Sequence, residues 1–468
     1  MTTLRIFRHH VRIPFIILGA LEAVIFAIAV YGGSYLRFGA NYLILPGAIG
    51  TWNLLLDAIV FSIVLIVSMI AVGLYQARLR EGRNGFFLRL AIAFILGMIS
   101  LAVIYYLLPV LFMGRGVLGY SLAISFFGVI TIRAIAYRLD PDAFKKRVLV
   151  IGTGKKANAI TELRRRSDKF GFDLLGFVHL RGEHDVVDAT RIIRTDQPLV
   201  EYVATHDVDE IVIAIDDRRK GFPIDDLLDC KMNGINIVDV LGFFERETGK
   251  VRLDQLHPAW FIFSDGFVQG TLRLYFKRGF DIAVSAALLL ATVPFTLLTI
   301  LAILLESGLG STIFYRQVRV GQNGKPYHVF KFRSMQEDAE KGGVAQWATR
   351  NDSRVTRVGK IIRKTRIDEI PQIYNVLRGD MSFVGPRPER PQFVVKLSEK
   401  IPFYSERHRV KPGITGWAQL LYPYGSSEKD AYEKLQYDLY YIKNNSLLLD
   451  LLIILQTVEV VLFGKGAR

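Results

Sequence analysis

Between Gly359 and Pro391 the chain reads GKIIRKTRIDEIPQIYNVLRGDMSFVGPRPERP. Two carboxylates, Asp368 and Glu369, stand side by side in it. A basic run (Lys360, Arg363, Lys364, Arg366) precedes them and a Pro386-Arg387-Pro388 turn follows. Phosphoryl chemistry on an anionic substrate needs such a set. One carboxylate can attack phosphorus while its neighbour holds a divalent cation, and guanidinium groups such as those of Arg363 and Arg387 can clamp phosphate oxygens in pairs. Successive residues on a helix point about 100° apart, so two separate roles suit the acids better than a shared proton. The rings beside Arg387 fix its backbone and lower the cost of ordering its side chain. A structural reading of the same letters also stands: Thr365-x-x-Asp368 fits a capping box, and Asp368 could cap a helix over 369–377 that Gly379 stops. Both can hold together, because a helix N-terminus attracts phosphate.

The segments around this set must position it. Residues 312–332 (TIFYRQVRVGQNGKPYHVFKF) alternate as two strands about Asn323-Gly324, and the second strand delivers Lys331 and Arg333. Asp380 and Glu389 read as partners of arginines. Trp417 reads as a packing or interfacial residue, and His408, with no ligand-type neighbours, as structural. Tyr422, Tyr424, Tyr437, Tyr440 and Tyr441 suggest contact at the level of lipid headgroups. The segment 447–463, carrying Asp450, Gln456 and Glu459, is short for a membrane span and reads as an amphipathic helix lying in the interface.

Four motifs occur in order: KFRSM at 331–335, RKTRIDEIPQ at 363–372, GDMSFVGPRP at 379–388 and KPGITGWAQ at 411–419. Together they resemble the bacterial sugar transferase family, the polyprenyl-phosphate sugar-1-phosphate transferases or monotopic phosphoglycosyl transferases. With a membrane region in front, the chain is similar to the long, WbaP-like exopolysaccharide type. The resemblance is dense over 273–468 and only architectural over 1–272. It implies that Asp368 is a nucleophile, that Glu369 ligates Mg²⁺, and that Lys331 and Arg333 lie near phosphate. It further implies transfer of a sugar-1-phosphate from a nucleotide diphosphate sugar, of the UDP-glucose kind, to polyprenyl (undecaprenyl) phosphate through an aspartyl-phosphosugar.

Composition agrees with a membrane-bound chain. Of 468 residues, 51% are hydrophobic, and the formal net charge is +15. That balance suits an anionic lipid surface and phosphorylated substrates; nucleic acid explains it less well, because the basic residues cluster beside apolar runs. The single cysteine, Cys230, excludes an internal disulfide and a cysteine-cluster metal site, and reads as a buried thiol.

Apolar runs at about 13–36, 51–75, 87–111 and 116–137 are each long enough to cross a bilayer. Arg5, Arg8 and Arg12 precede the first. Arg78, Arg80, Arg83 and Arg89 lie between the second and third, and Arg138, Lys145, Lys146 and Arg147 follow the fourth. Only Arg37 and Arg115 lie in the other connections, so positive-inside counting puts both ends of this four-helix bundle in the cytoplasm. The first run is an anchor rather than a removable signal. Glu22 and Asp57, within spans, read as pairing with an arginine or facing the bundle.

From Lys146 the pattern turns to strand, glycine loop and helix, with Gly152-x-Gly154-x-x-Ala157 and further strands at 174–179, 210–215 and 235–240. This predicts a small Rossmann-like, CoA-binding-like sheet over 145–242. No clear acid ends a second strand to hold a ribose, so the reading is a domain for assembly or regulation without a cofactor. An irregular aromatic connector follows at 243–272. The fifth apolar run, about 280–305, has basic flanks on both sides and Pro294 near its middle, which predicts a re-entrant helix (277–306) broken at Pro294. The fold class is then membrane α plus α/β: a four-span bundle (1–140), the Rossmann-like domain and an α+β catalytic domain (273–468), in a homodimer at the cytoplasmic face of the inner membrane.

Two other classes compete. A membrane-anchored NAD-dependent nucleotide-sugar dehydratase needs a second glycine-rich domain with a Tyr-x-x-x-Lys pair, and Tyr327 and Lys331 sit in a strand-like run without one. A non-catalytic assembly scaffold leaves the acid pair and its basic partners unexplained.

Overall fold

The computed structural model describes the chain outside residues 1–2, 7–8, 40–50, 76–81, 139–144, 164–170, 181, 196, 218–221, 257, 265, 268–269, 309, 337–353, 423–424, 426 and 463–468. It describes backbone alone at 3–6, 9–15, 51–53, 82–84, 137–138, 259, 262–263, 459 and 461–462. Arg8, Arg78, Arg80 and Tyr424 therefore lie outside the described residues, as do the side chains of Arg5, Arg12, Arg83, Arg138 and Glu459. The chain divides into two compact units, Met1–Gly249 and Lys250–Arg468.

The first unit opens with apolar helices Ile13–Phe38, Thr51–Ala71, Gly82–Leu107 and Arg115–Arg138. Each contains a stretch long and apolar enough to cross a membrane. The first packs on the second and fourth, and the second on the third. Phe26 meets Phe61 and Phe94 edge to face at 6.4 Å. Glu22 is fully buried and paired with Arg133 at 2.6 Å, and Tyr75 donates to its other oxygen, so this charge inside a span has its partners. Asp57 is buried among the helices. Arg89, read from the sequence as a loop charge, is instead buried and donates to the Val72 carbonyl at 2.6 Å.

The sheet that follows has five parallel strands in the order Ile192–Ile193, Phe172–Val178, Lys146–Ile151, Glu210–Ile213, Asn236–Asp239. The chain starts in the middle strand and winds both ways, as a doubly wound fold does. Alternate residues of Lys146–Ile151 feed two cores: Val148 and Val150 on one face, Leu149 and Ile151 on the other with the buried Cys230. Phe243 and Phe244, assigned above to the irregular connector, belong to the helix Val240–Thr248 and are wholly buried against this sheet.

The second unit begins with the 37-residue helix Thr271–Ser307. The expected separation into two segments at Pro294 is not seen: the helix continues through the proline, and the Thr292 hydroxyl turns back to the Leu288 carbonyl at 2.7 Å. Both ends are tied to the same unit. Near the start, Lys277 pairs with Asp450 at 2.7 Å, and Asp281 accepts from Ser382 Oγ and Phe383 N at 3.0 Å. Near the finish, Glu306 accepts from Arg357 N at 2.8 Å, and Ile303 packs with Phe332 and Ile362.

Strands Phe314–Val320 and Pro326–Phe332 form the predicted antiparallel hairpin, with Asn323 and Gly324 both at positive φ. The tyrosines placed above at headgroup level are mostly core. Tyr437, Tyr440 and Tyr441 are about as buried as any side chain here, at 2%, 1% and 2% exposure, on the helix Glu428–Asn444, and Trp417 stacks on Tyr440. That helix is the unit's spine, buried on all sides from Leu435 onward, and tyrosine fills such a core when its hydroxyl finds a partner. Tyr441 donates to Asp450 at 2.8 Å. Asp450 is thereby turned inward on the helix Leu447–Leu462.

Candidate active site

The acid pair sits on a short turn rather than at a helix cap. The helix Arg357–Lys364 ends at Thr365, Arg366 takes the left-handed conformation (φ 63°), and Ile367–Glu369 make one 3₁₀ turn before the helix Gln372–Arg378. The capping reading fails here. Thr365 Oγ1 bonds back to Ile361 O at 2.9 Å, the next helix starts at Gln372 instead of 369, and no side chain caps it. Gly379 (φ 98°) does end that helix.

Buried Asn375 on this helix fixes the hairpin beside the acids, donating to His328 O at 2.7 Å and accepting from Phe330 N at 3.1 Å. The strand so held brings Lys331 Nζ to Glu369 Oε1 at 2.8 Å. From the other side Arg387 Nη2 reaches the same oxygen at 3.0 Å. Behind it, fully enclosed Arg407 donates to the Arg387 carbonyl at 2.9 Å and to Tyr404 Oη at 2.7 Å, and pairs with Asp438 at 2.9 Å. Sequence reading passed over Arg407 and Asp438, and nothing in their local pattern marked them.

These groups line a cavity of about 870 Å³. Asp368, Glu369, Lys331, Arg363 and Arg387 form a polar wall, and Leu288 and Phe295 of the long helix an apolar one. Arg333 is not part of it. It lies past the end of its strand, buried, and bonds Thr312 at 3.2 Å. Pro294 does not line the cavity either, though Thr292 and Phe295 beside it do. Asp380 and Glu389 approach Arg378 at 3.5 Å and Arg319 at 3.8 Å, the arginine partnerships expected of them.

Electrostatically the two acids are opposites. Burial pushes Asp368 up to about 6; Lys331 and the arginines pull against that, and the charge of Glu369 adds to it. Burial acts on Glu369 too, but Lys331 and Arg387 outweigh it and hold the carboxyl far below its ordinary value. Glu369 is thus a permanently charged, cation-bound group. Asp368 is a buried carboxylate to which neither Lys331 nor Arg387 is bonded.

No cluster of three or more His, Cys, Asp and Glu side chains that could hold a metal ion occurs among the described residues. Mg²⁺ does not require one, since it uses one or two carboxylates together with substrate phosphates and water. The hard oxygens of Glu369, with both of its ion pairs on Oε1, fit that mode.

The chain thus combines helices long and apolar enough to cross a membrane, a doubly wound sheet and a cavity walled by an acid pair and cations. The family profile for bacterial sugar transferases matches residues 272–464, and one described as a CoA-binding domain matches 70–222. The UDP-glucose:undecaprenyl-phosphate glucose-1-phosphate transferase of Klebsiella pneumoniae is 35% identical over 338 residues, 69% of each chain. The UDP-N-acetylgalactosamine-undecaprenyl-phosphate N-acetylgalactosaminephosphotransferase of Aeromonas hydrophila is 42% identical over 51% of this chain. The undecaprenyl-phosphate glucose phosphotransferase of Komagataeibacter xylinus is 44% identical over 41%. The chain spans 55% and 36% of the length of these last two. It belongs to the bacterial sugar transferase family.

Proposed function

We propose that this chain transfers a sugar-1-phosphate from a nucleotide diphosphate sugar, a UDP-hexose such as UDP-glucose, to undecaprenyl phosphate, the initiating step of an exopolysaccharide. The observation that carries the reading is the division of labour in the acid pair: Lys331 and Arg387 are bonded to Glu369 and not to Asp368, which lines the same cavity. A carboxylate with a raised pKa is the better nucleophile, and at about 6 it is still mostly ionised at neutral pH.

In this mechanism an Asp368 oxygen attacks the phosphorus bonded to the sugar. The bond from that phosphorus to the bridging oxygen breaks, and nucleoside monophosphate leaves with the electron pair. A phosphate oxygen of undecaprenyl phosphate then attacks the same phosphorus, the Asp368–phosphorus bond breaks, and the carboxylate is regenerated. Arg363 and Arg387 orient and neutralise phosphate oxygens, and Lys331 keeps Glu369 ionised. Glu369 would hold Mg²⁺, which when bound would neutralise charge on the diphosphate. Splitting the transfer lets a soluble donor and a lipid acceptor use one cavity in turn.

The same proposal sets the long helix into the bilayer from the cytoplasmic face and, by a bend within the unbroken helix, returns it there; the four N-terminal helices cross the bilayer of the inner membrane, and the chain forms a homodimer. In support, both ends of the long helix carry polar contacts to one unit, which cannot stand on both sides of a membrane. Between them Leu290, Leu297, Leu298 and Leu301 are exposed. The test is purified protein with labelled nucleotide sugar and undecaprenyl phosphate. Label should enter the organic phase and monophosphate should be released, both lost in Asp368→Asn. Transfer surviving that substitution overturns the mechanism.

A further inference from the structure

The profile over 70–222 carries the description of a CoA-binding domain, and Gly152-Thr153-Gly154-Lys155-Lys156 is the loop that would face a pyrophosphate in such a fold. The amides of Thr153, Lys155 and Lys156 are already taken. Lys155 N and Lys156 N donate to the two oxygens of Asp216 at 2.8 and 2.9 Å. Thr153 N donates to Glu183 Oε2 at 3.0 Å, and Glu183 Oε1 receives Asp216 N at 3.2 Å. Two carboxylates of the chain stand where phosphate oxygens would.

Both glycines of the fingerprint have an internal reason. A Cβ at Gly154 would lie 2.4 Å from Asp216 Oδ2 and 2.9 Å from Glu183 Oε1, so this glycine admits side chains of the chain itself. A Cβ at Gly152 (φ 116°) would lie 2.7 Å from the Ala214 carbonyl, so that glycine admits the neighbouring strand's end. Lys156 Nζ turns back to Ile215 O at 3.0 Å. Thr153 Oγ1 donates to Asp185 Oδ1 at 2.6 Å, which adds a third carboxylate to the loop. Asp185 is itself paired with Arg194 and His179 at 2.8 Å, so the charge that opposes a diphosphate at this turn is that of Asp216 and Glu183.

We propose that this loop is self-liganded: Asp216 and Glu183 fill the anion position, and the α/β section takes neither CoA nor a dinucleotide there. The residues present do not fit the cofactor that the profile's description implies.

The test uses full-length protein in detergent. In equilibrium dialysis, wild type should retain neither labelled CoA nor labelled NAD⁺ at millimolar ligand; retention of either overturns the proposal. By hydrogen-exchange mass spectrometry, Asp216→Ala should speed exchange in the peptide spanning 152–158 on the order of tenfold. Inorganic phosphate should slow that exchange in the variant and leave wild type unchanged. Exchange in Asp216→Ala equal to wild type, with or without phosphate, overturns the proposal as well. If Asp216→Ala does not accumulate, Glu183→Gln is read in the same way at Thr153.

Discussion

Each unit brings a pair of acids to a short turn beside a glycine or a left-handed residue, and the two pairs are used in opposite ways. In the α/β section the donors are four backbone N–H groups, fixed by the fold, and both Asp216 and Glu183 are bonded to them. In the cavity the donors are the side-chain cations of Lys331 and Arg387, and both go to one acid. A carboxylate held by backbone closes a site. A carboxylate left without such donors, beside a neighbour bonded to both cations, is a reagent. The distinction lies in which donors reach which oxygen, and the residue types alone do not carry it.

The comparison is broken or sharpened most strongly at Asp368. Asp368→Asn should lower sugar-phosphate transfer by at least about a thousandfold while the protein still folds. The folded state binds the Asp368 proton more tightly than the unfolded chain does, about 6 against 3.8. That residue therefore costs stability as pH rises from about 4 to 6, and replacing it with Asn should stabilise the protein at pH 7 by roughly 1–3 kcal/mol, read by denaturant titration.

Next comes Glu369→Gln, which strips the ionised partner from Lys331 and Arg387. Transfer should fall about 100-fold and stability by roughly 1–3 kcal/mol, because two cations lose their counter-charge. The opposite signs of the two stability changes are the sharpest statement of the contrast. The pH profile of transfer should lose activity on the acid side with a midpoint near 6, as Asp368 takes up its proton, and show no second acid limb from Glu369. A smaller effect separates Lys331 from Arg333. Lys331→Ala should cost about 100-fold in kcat/KM, and Arg333→Lys less than about threefold, since only Lys331 lines the cavity. The smallest effect belongs to the other pair: Asp216→Ala should leave transfer within about twofold of wild type.

Much of this was legible in the sequence. Apolar run length located the four N-terminal helices, Asn323-Gly324 fixed the hairpin, and the acid pair with its arginines pointed to side chains that line one cavity. What was not legible depended on chain geometry. Lys331 and Arg333 are two apart and read as one strand face, but the strand ends at Phe332 and Arg333 leaves the alternation. Asp368, three residues after Thr365, resembles part of a helix cap until the left-handed Arg366 and the 3₁₀ turn carry it into the cavity. The clustered tyrosines looked interfacial because headgroup and core both favour them; only the contacts of the Glu428–Asn444 helix decide for core. Asp216 lies 60 residues from the lysine amide it ligates, a separation no local pattern spans.

The central claim is tested most directly by incubating the protein with a nucleotide sugar in the absence of lipid acceptor, quenching, and mapping peptides by mass spectrometry. Cleavage after Arg366 and Arg378 isolates residues 367–378, which contain both acids. The account predicts a sugar-phosphate adduct on Asp368 in that peptide, with one monophosphate released per adduct. Release of monophosphate with the peptide unmodified, or an adduct on Glu369, would contradict it.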